Sequence, residues 1–131
     1  MKIQNLEELD TPCLILDKSL LEKNCFKARK KCLELNTILR PHVKTPKSIE
    51  IAKIALDNQE GPITVSTLNE AEYFASAGFK DILYAVCIIP KKLKRLNFIQ
   101  QKYSCIIRIV IDSTYVAQEI LKYSKLHNAN F

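Results

Sequence analysis

Three residues with chemistry beyond packing stand on alternate positions. They are Arg40, His42 and Lys44 in the run LRPHVKTPKS, with Leu39, Pro41 and Val43 between and before them. In an extended strand, alternate side chains share one face. One face is then cationic and titratable, and the other apolar. On a sheet with a wet face this would be ordinary. In a sheet covered on both sides it demands partners, because an isolated buried charge is costly. Desolvation and like charge together make a lysine amine less basic. A free amine is the nucleophile that condenses with an aldehyde or ketone to a Schiff base. Arg40 and His42 could receive a phosphate or carboxylate beside it, and a neutral His42 could relay protons. The competing reading is a structural lysine snorkelling from a strand end. His42 as a metal ligand has less support, since the only other histidine, His127, lies at the far end of the chain.

Other chemistries are bounded by composition. Gly61 and Gly78 are the only glycines, so a Gly-rich phosphate loop is impossible. The net charge is +6, from 20 Lys+Arg against 14 Asp+Glu. The excess is dispersed except for Lys91, Lys92, Lys94 and Arg95, which follow Pro90. That cluster reads as the solvated first turns of a helix. A nucleic-acid patch is the lesser reading, because no aromatic residues interleave to stack bases. The five cysteines, Cys13, Cys25, Cys32, Cys87 and Cys105, form no C-x-x-C pair. Reduced, mostly buried thiols in a cytoplasm are expected. MKIQNLEELD lacks the apolar core of a secretory leader. YAVCIIP and CIIRIVI are too short to span a bilayer, so no membrane partner is expected.

The elements that must position the lysine alternate strictly. TPCLILD (11–17) is a short strand signal, followed by a helix to about Leu35 with a Ser19/Glu22 capping box and Asp17 as rival cap. NTILRPHVK reads as a strand, although Pro41 cannot donate a ladder hydrogen bond and suits an edge or an interrupted pairing. Thr45 and Pro46 predict the start of the next helix. ITVS is a strand, TLNE a capping box, and Gly78 a stop. DILYAVCI, a basic helix after Pro90, SCIIRIVI, and a helix capped by Asp112 or Ser113 and ending near His127 complete the series. Strand starts lie about 20 to 25 residues apart, the signature of βαβ crossovers and a parallel sheet. The near-continuous apolar strands predict burial on both faces. Lys44 then stands at the carboxyl end of its strand, facing a barrel lumen or a ligand crevice.

The ordered occurrence of LDTPCLILDKSLLEKN, LRPHVKT and ITVSTLNEAEYFASAGFKDILYA resembles the D-threonine aldolase and D-serine dehydratase group. These are pyridoxal-phosphate enzymes related to the alanine racemase N-terminal domain, with a type III fold. The resemblance covers roughly residues 9–111. It implies that Lys44 anchors pyridoxal 5'-phosphate as a Schiff base, that His42 and Arg40 line the same pocket, and that Thr67 lies near the cofactor. It implies a lyase acting on D-β-hydroxy amino acids. It also implies that 11–17 pairs with a C-terminal β domain rather than joining the barrel, leaving about four barrel strands here.

Two departures accompany it. The group usually reads K-T-H-K where this chain has Lys44, Thr45, Pro46 and Lys47. A TIM-type barrel needs about 250 residues. The 131 residues here are therefore expected to form a single partial domain, the N-terminal part of an α/β barrel amounting to about half of it. Residues that would bind the cofactor phosphate, its ring nitrogen or a divalent metal are expected in later segments. The alternative to an active lyase is a non-catalytic remnant or one half of a split enzyme. A homo-oligomer or a complementary C-terminal half is the expected protein partner.

Overall fold

Alternate apolar positions in three strands organise the chain. The computed structural model describes residues 5–131; residues 1–4, the start of the polar leader, lie outside that description. Strands β1 (Ile63–Val65), β2 (Asp81–Cys87) and β3 (Ile106–Val110) form one parallel sheet in the order β1-β2-β3. Its register aligns Ile63 with Ile82 and Ile107, and Thr64 with Leu83 and Arg108. Partners across a parallel ladder point to the same side, so each row belongs to one face.

One face is the core. Ile63, Val65, Ile82, Tyr84 and Ile107 are fully buried on it. Helices α3 (Leu68–Ser76), α4 (Leu93–Tyr103) and α5 (Thr114–His127) follow the three strands. Leu68, Ala71 and Ala75 of α3, and Leu93, Leu96 and Ile99 of α4, recur at helical spacing and are buried in the same cluster. Phe74 and Phe79 meet edge to face at 5.4 Å within it.

The opposite face is open. Arg108, Ala85, Ile106 and Val110 lie exposed there, and only Thr64 is buried. Burial on both faces is therefore a prediction that the structure corrects. Three strands make an open arc, so the row that points away from the helices meets no facing strands among the described residues.

The first predicted barrel strand is also different. Residues 39–44 form no regular strand, only an isolated parallel bridge between His42 and Thr64. The Thr64 N–H donates to Pro41 O and the Val43 N–H to Thr64 O, both at 2.9 Å. Pro41 has no N–H of its own, which limits how far this pairing extends. The described residues thus hold three strands rather than four. Residues 11–17 are likewise not a strand; they run unpaired, with Leu14 104% exposed. Their apolar run from Cys13 to Leu16 has no partner strand among the described residues.

Helix α1 (Lys18–Glu34) is capped by Asp17, whose carboxylate accepts from the Leu20 N–H at 2.9 Å. The Ser19/Glu22 box is not used. Helix α1 has no buried residue and rests on α2 (Ile49–Ala55). Arg29 of α1 donates to the terminal carbonyls of α2, at 2.8 Å to Ile54 O and 3.2 Å to Ala55 O, where the helix dipole favours a cation. Helix α2 is capped by Ser48 and begins at Ile49, not with Thr45 as cap and Pro46 as first residue as predicted. Residues 44–47 form a turn closed by the Lys47 N–H on Val43 O at 3.0 Å, with Lys47 at φ +43°. Of the cysteines only Cys105 is buried, and all five are free thiols, so the expectation of mostly buried thiols fails. Among the described residues no helix is long and apolar enough to cross a membrane.

Candidate functional site

The lysine singled out by its spacing sits just past the last bonded residue of its segment. Val43 is buried and tied to β1, and Lys44 opens the turn that leads to α2. This places Lys44 beside the carboxyl end of β1, where catalytic groups gather in α/β folds. Its side chain is exposed, unlike the sheltered amine that the sequence led us to expect. The cause is the open inner face, which lacks further strands to enclose it. Among the described residues the Lys44 amine joins no ion pair, whereas its neighbours Lys47 and Arg40 pair with Glu70 and Asp81.

His42 is fixed more tightly than its exposure suggests. Its Nδ1 accepts the Lys44 backbone N–H at 3.3 Å, and its Nε2 lies 3.3 Å from Ser66 Oγ. A ring nitrogen that accepts carries no proton, so in the neutral ring the hydrogen resides on Nε2 and is donated to Ser66. Ser66 directly follows β1. Its N–H donates to Glu70 Oε2 at 2.8 Å, and Glu70 Oε1 lies 3.5 Å from Lys47 Nζ. Thr67 is the N-cap of α3, accepting the Glu70 N–H at 3.1 Å.

His42, Lys44, Ser66 and Thr67 are therefore brought to one end of the sheet. Arg40 is not. It lies toward the opposite, amino end, where its guanidinium forks onto Asp81 at 2.9 and 3.0 Å and donates to Ile63 O at 3.2 Å. Arg108 reaches the same carboxylate from β3 at 3.2 Å. The Arg40 hydrogen bonds hold the Asp81 carboxyl below the usual carboxylate range; partial burial opposes this, and Arg108 reinforces it. The sequence marked Asp81 only as the start of a strand and Glu70 only as part of a capping box. The box itself is the one signal that could have drawn attention to Glu70.

The basic cluster lies at the same end of the sheet. An open cavity of about 400 Å³ is lined by Ser66, Thr67, Asn69, Lys91, Lys92 and Arg95. Much of its charge is already engaged: Lys92 Nζ donates to Tyr84 Oη at 2.7 Å, and Arg95 pairs with Glu72 at 3.1 Å and with Asn69. Among the described residues no group of three or more His, Cys, Asp or Glu side chains is placed to hold a metal ion.

No family model matches the chain. Individual relatives do. The D-threo-3-hydroxyaspartate dehydratase of Delftia sp. (strain HT23) is 36% identical over 117 residues, 89% of this chain and 30% of that protein. The D-serine dehydratase of Dictyostelium discoideum is 41% identical over 69% of this chain and 24% of its own length. The solved Delftia enzyme superposes with a TM-score of 0.89, at 35% identity, over 95% of this chain and 32% of the other. An alanine racemase-like protein of Idiomarina loihiensis superposes with a TM-score of 0.88, at 39% identity, over 95% of this chain and 33% of the other. The chain thus spans about a third or less of the length of the relatives it matches. By sequence and fold together, its homologues are D-hydroxy amino acid dehydratases and aldolases, and its open three-stranded sheet matches the N-terminal part of an alanine racemase-like barrel.

Proposed function

We propose that the chain supplies the lysine anchor and one wall of a pyridoxal-phosphate site in a lyase for D-β-hydroxy amino acids. The observation that carries this reading is the setting of Lys44. Its side chain is exposed and its amine joins no ion pair among the described residues, while its backbone is fixed by His42, by the bridge to Thr64 and by the turn at Lys47. A primary amine of that kind fits the aldehyde end of the cofactor. When bound, pyridoxal phosphate supplies an electron sink for the negative charge that forms at the amino acid's α carbon.

The chain's own residues then have distinct tasks. Lys44 would hold the cofactor, and its amine would be available to take or return a proton at the substrate's α carbon. His42 sets the direction of the Lys44 backbone through Nδ1. Ser66 and Thr67 border the same end, and Thr67 would lie near the cofactor. Arg40 acts from the far end of the sheet, holding the segment in register through Asp81. The D-hydroxy acids in the relatives' names support a substrate with a β-hydroxyl. Dehydration of D-serine breaks the β C–O bond and, after hydrolysis of the enamine, gives pyruvate and ammonia. Retro-aldol cleavage of D-threonine breaks the Cα–Cβ bond and gives glycine and acetaldehyde.

Absorbance tests the assignment. Chain mixed with pyridoxal phosphate should develop a Schiff-base band that Lys44→Ala removes, and a band of equal strength in the variant would reject it. The products from D-serine and D-threonine then separate dehydratase from aldolase chemistry.

A second reading follows from the open face, where Ile106 and Val110 meet solvent, and from the exposed Leu14, Ile15 and Leu16 of the extended segment. Exposed apolar side chains and an unpaired strand edge favour association. In this reading the chain anchors the cofactor but turns over substrate only when further barrel strands cover that face. Those strands would come from the same polypeptide, another copy or a complementary half. Adding a polypeptide that carries the missing strands should raise the rate. Full turnover by a monomer of these 131 residues would contradict it.

A further inference from the structure

We propose that Glu70 is a positioning residue for Lys44, acting through Ser66 and His42 on one side of the lysine and through Lys47 on the other; this rests on Lys44 being the cofactor anchor. Among the described residues Glu70 is the one buried charged residue, with 9% of the residue exposed. A buried carboxylate is retained only where polar partners compensate it. A simple helix cap does not account for its partners. In a capping box the acid at the third helical position returns to the N–H of the cap residue, here Thr67. Glu70 instead accepts the N–H of Ser66, one residue earlier, at 2.8 Å. Its second oxygen faces Lys47 Nζ at 3.5 Å.

Each contact leads to the lysine. Ser66, held by its backbone, presents Oγ at 3.3 Å from His42 Nε2. That oxygen can accept the Nε2–H of the tautomer whose Nδ1 accepts the Lys44 N–H, so the two contacts support the same tautomer. On the far side, Lys47 closes the turn onto Val43 O with left-handed backbone, a conformation that disfavours a residue with a side chain. The ion pair to Glu70 helps to hold Lys47 there. Glu70 thus grips the lysine's segment two residues before and three residues after Lys44 without touching Lys44 itself.

The two histidines make this directly measurable by long-range 15N–1H correlation NMR on the chain. His127, whose ring lies tilted against Tyr123 with centroids 4.2 Å apart, is the internal control. Wild type should show His42 as the Nε2–H tautomer. In Glu70→Ala and in Ser66→Ala, whose α3 cap is intact, the His42 nitrogens should shift toward tautomer averaging while His127 stays unchanged. Affinity for pyridoxal phosphate, read from the absorbance band, should weaken about tenfold in Glu70→Ala, as expected for one lost positioning hydrogen bond. Glu70→Gln keeps an oxygen for the Ser66 N–H and should recover most of both signals. If Lys44→Ala abolishes the band but His42 is unmoved in both Glu70→Ala and Ser66→Ala, the positioning role is wrong and the anchor stands. If Lys44→Ala leaves the band intact, the anchor assignment itself fails.

Discussion

Arg40 and Asp81 meet in a two-pronged contact, Nη1 to Oδ1 at 2.9 Å and Nη2 to Oδ2 at 3.0 Å. With Arg108 at 3.2 Å on the same carboxylate, one side chain ties the segment before Lys44 to β2 and β3. The Arg40 hydrogen bonds lower the Asp81 carboxyl from its ordinary value of 3.8, against the effect of partial burial. A group whose folded pKa is depressed adds stability above its unfolded pKa and loses it as pH falls through the folded value. Urea midpoints of the wild type should therefore fall below about pH 5. Asp81→Asn should cost about 1 kcal/mol at pH 7, as for a partly exposed pair, and should show a flatter profile below pH 5. Parallel pH profiles for the two proteins would contradict this coupling.

The two faces of the sheet should answer differently to truncation. Ile82 is fully buried on the helix side, whereas Ile106 is 56% exposed on the open side. Ile82→Ala should cost about 2 to 4 kcal/mol, from lost burial and a cavity. Ile106→Ala should stay within about 0.5 kcal/mol. Denaturant titration of both variants checks the assignment of faces. If strands from elsewhere cover the open side, Ile106→Ala becomes costly only in that assembly.

The start of α2 separates two candidate caps. Ser48 Oγ accepts the Ile51 N–H at 3.2 Å, and Thr45 lies in the preceding turn. Ser48→Ala should destabilise by about 1 kcal/mol, and Thr45→Ala by a few tenths at most. Thermal melts followed by circular dichroism should show the difference. The reverse ranking would restore the start predicted from Thr45 and Pro46.

Much of the fold was legible because local signals agreed with tertiary demands. ITVS lies between the Gly61-Pro62 break and the Thr67 cap, and it became β1. Ser113 capped α5, and Pro90 opened the short turn before α4. Misreadings occurred where a distant contact decided. The left-handed turn at Lys47 depends on Val43 being held by Thr64, 21 residues on, and no local pattern reveals that bridge. The strand expected at 39–44 shrank to one bridge, as Pro41 had hinted. At the site, the alternation of Arg40, His42 and Lys44 was visible, but the separation of Arg40 from the lysine's end was not. That separation is created by Asp81, which is 41 residues away in the chain. Glu70 was visible as a capping acid, and only its reach past Thr67 to Ser66 exposed a further role.

The most direct test of the account locates the amine that takes the cofactor. The chain is incubated with a slight excess of pyridoxal phosphate, reduced with borohydride, digested, and mapped by mass spectrometry. The account predicts one dominant pyridoxyl label, on the peptide that contains Lys44. Label spread evenly over the surface lysines, with Lys44 no richer than the rest, would contradict it.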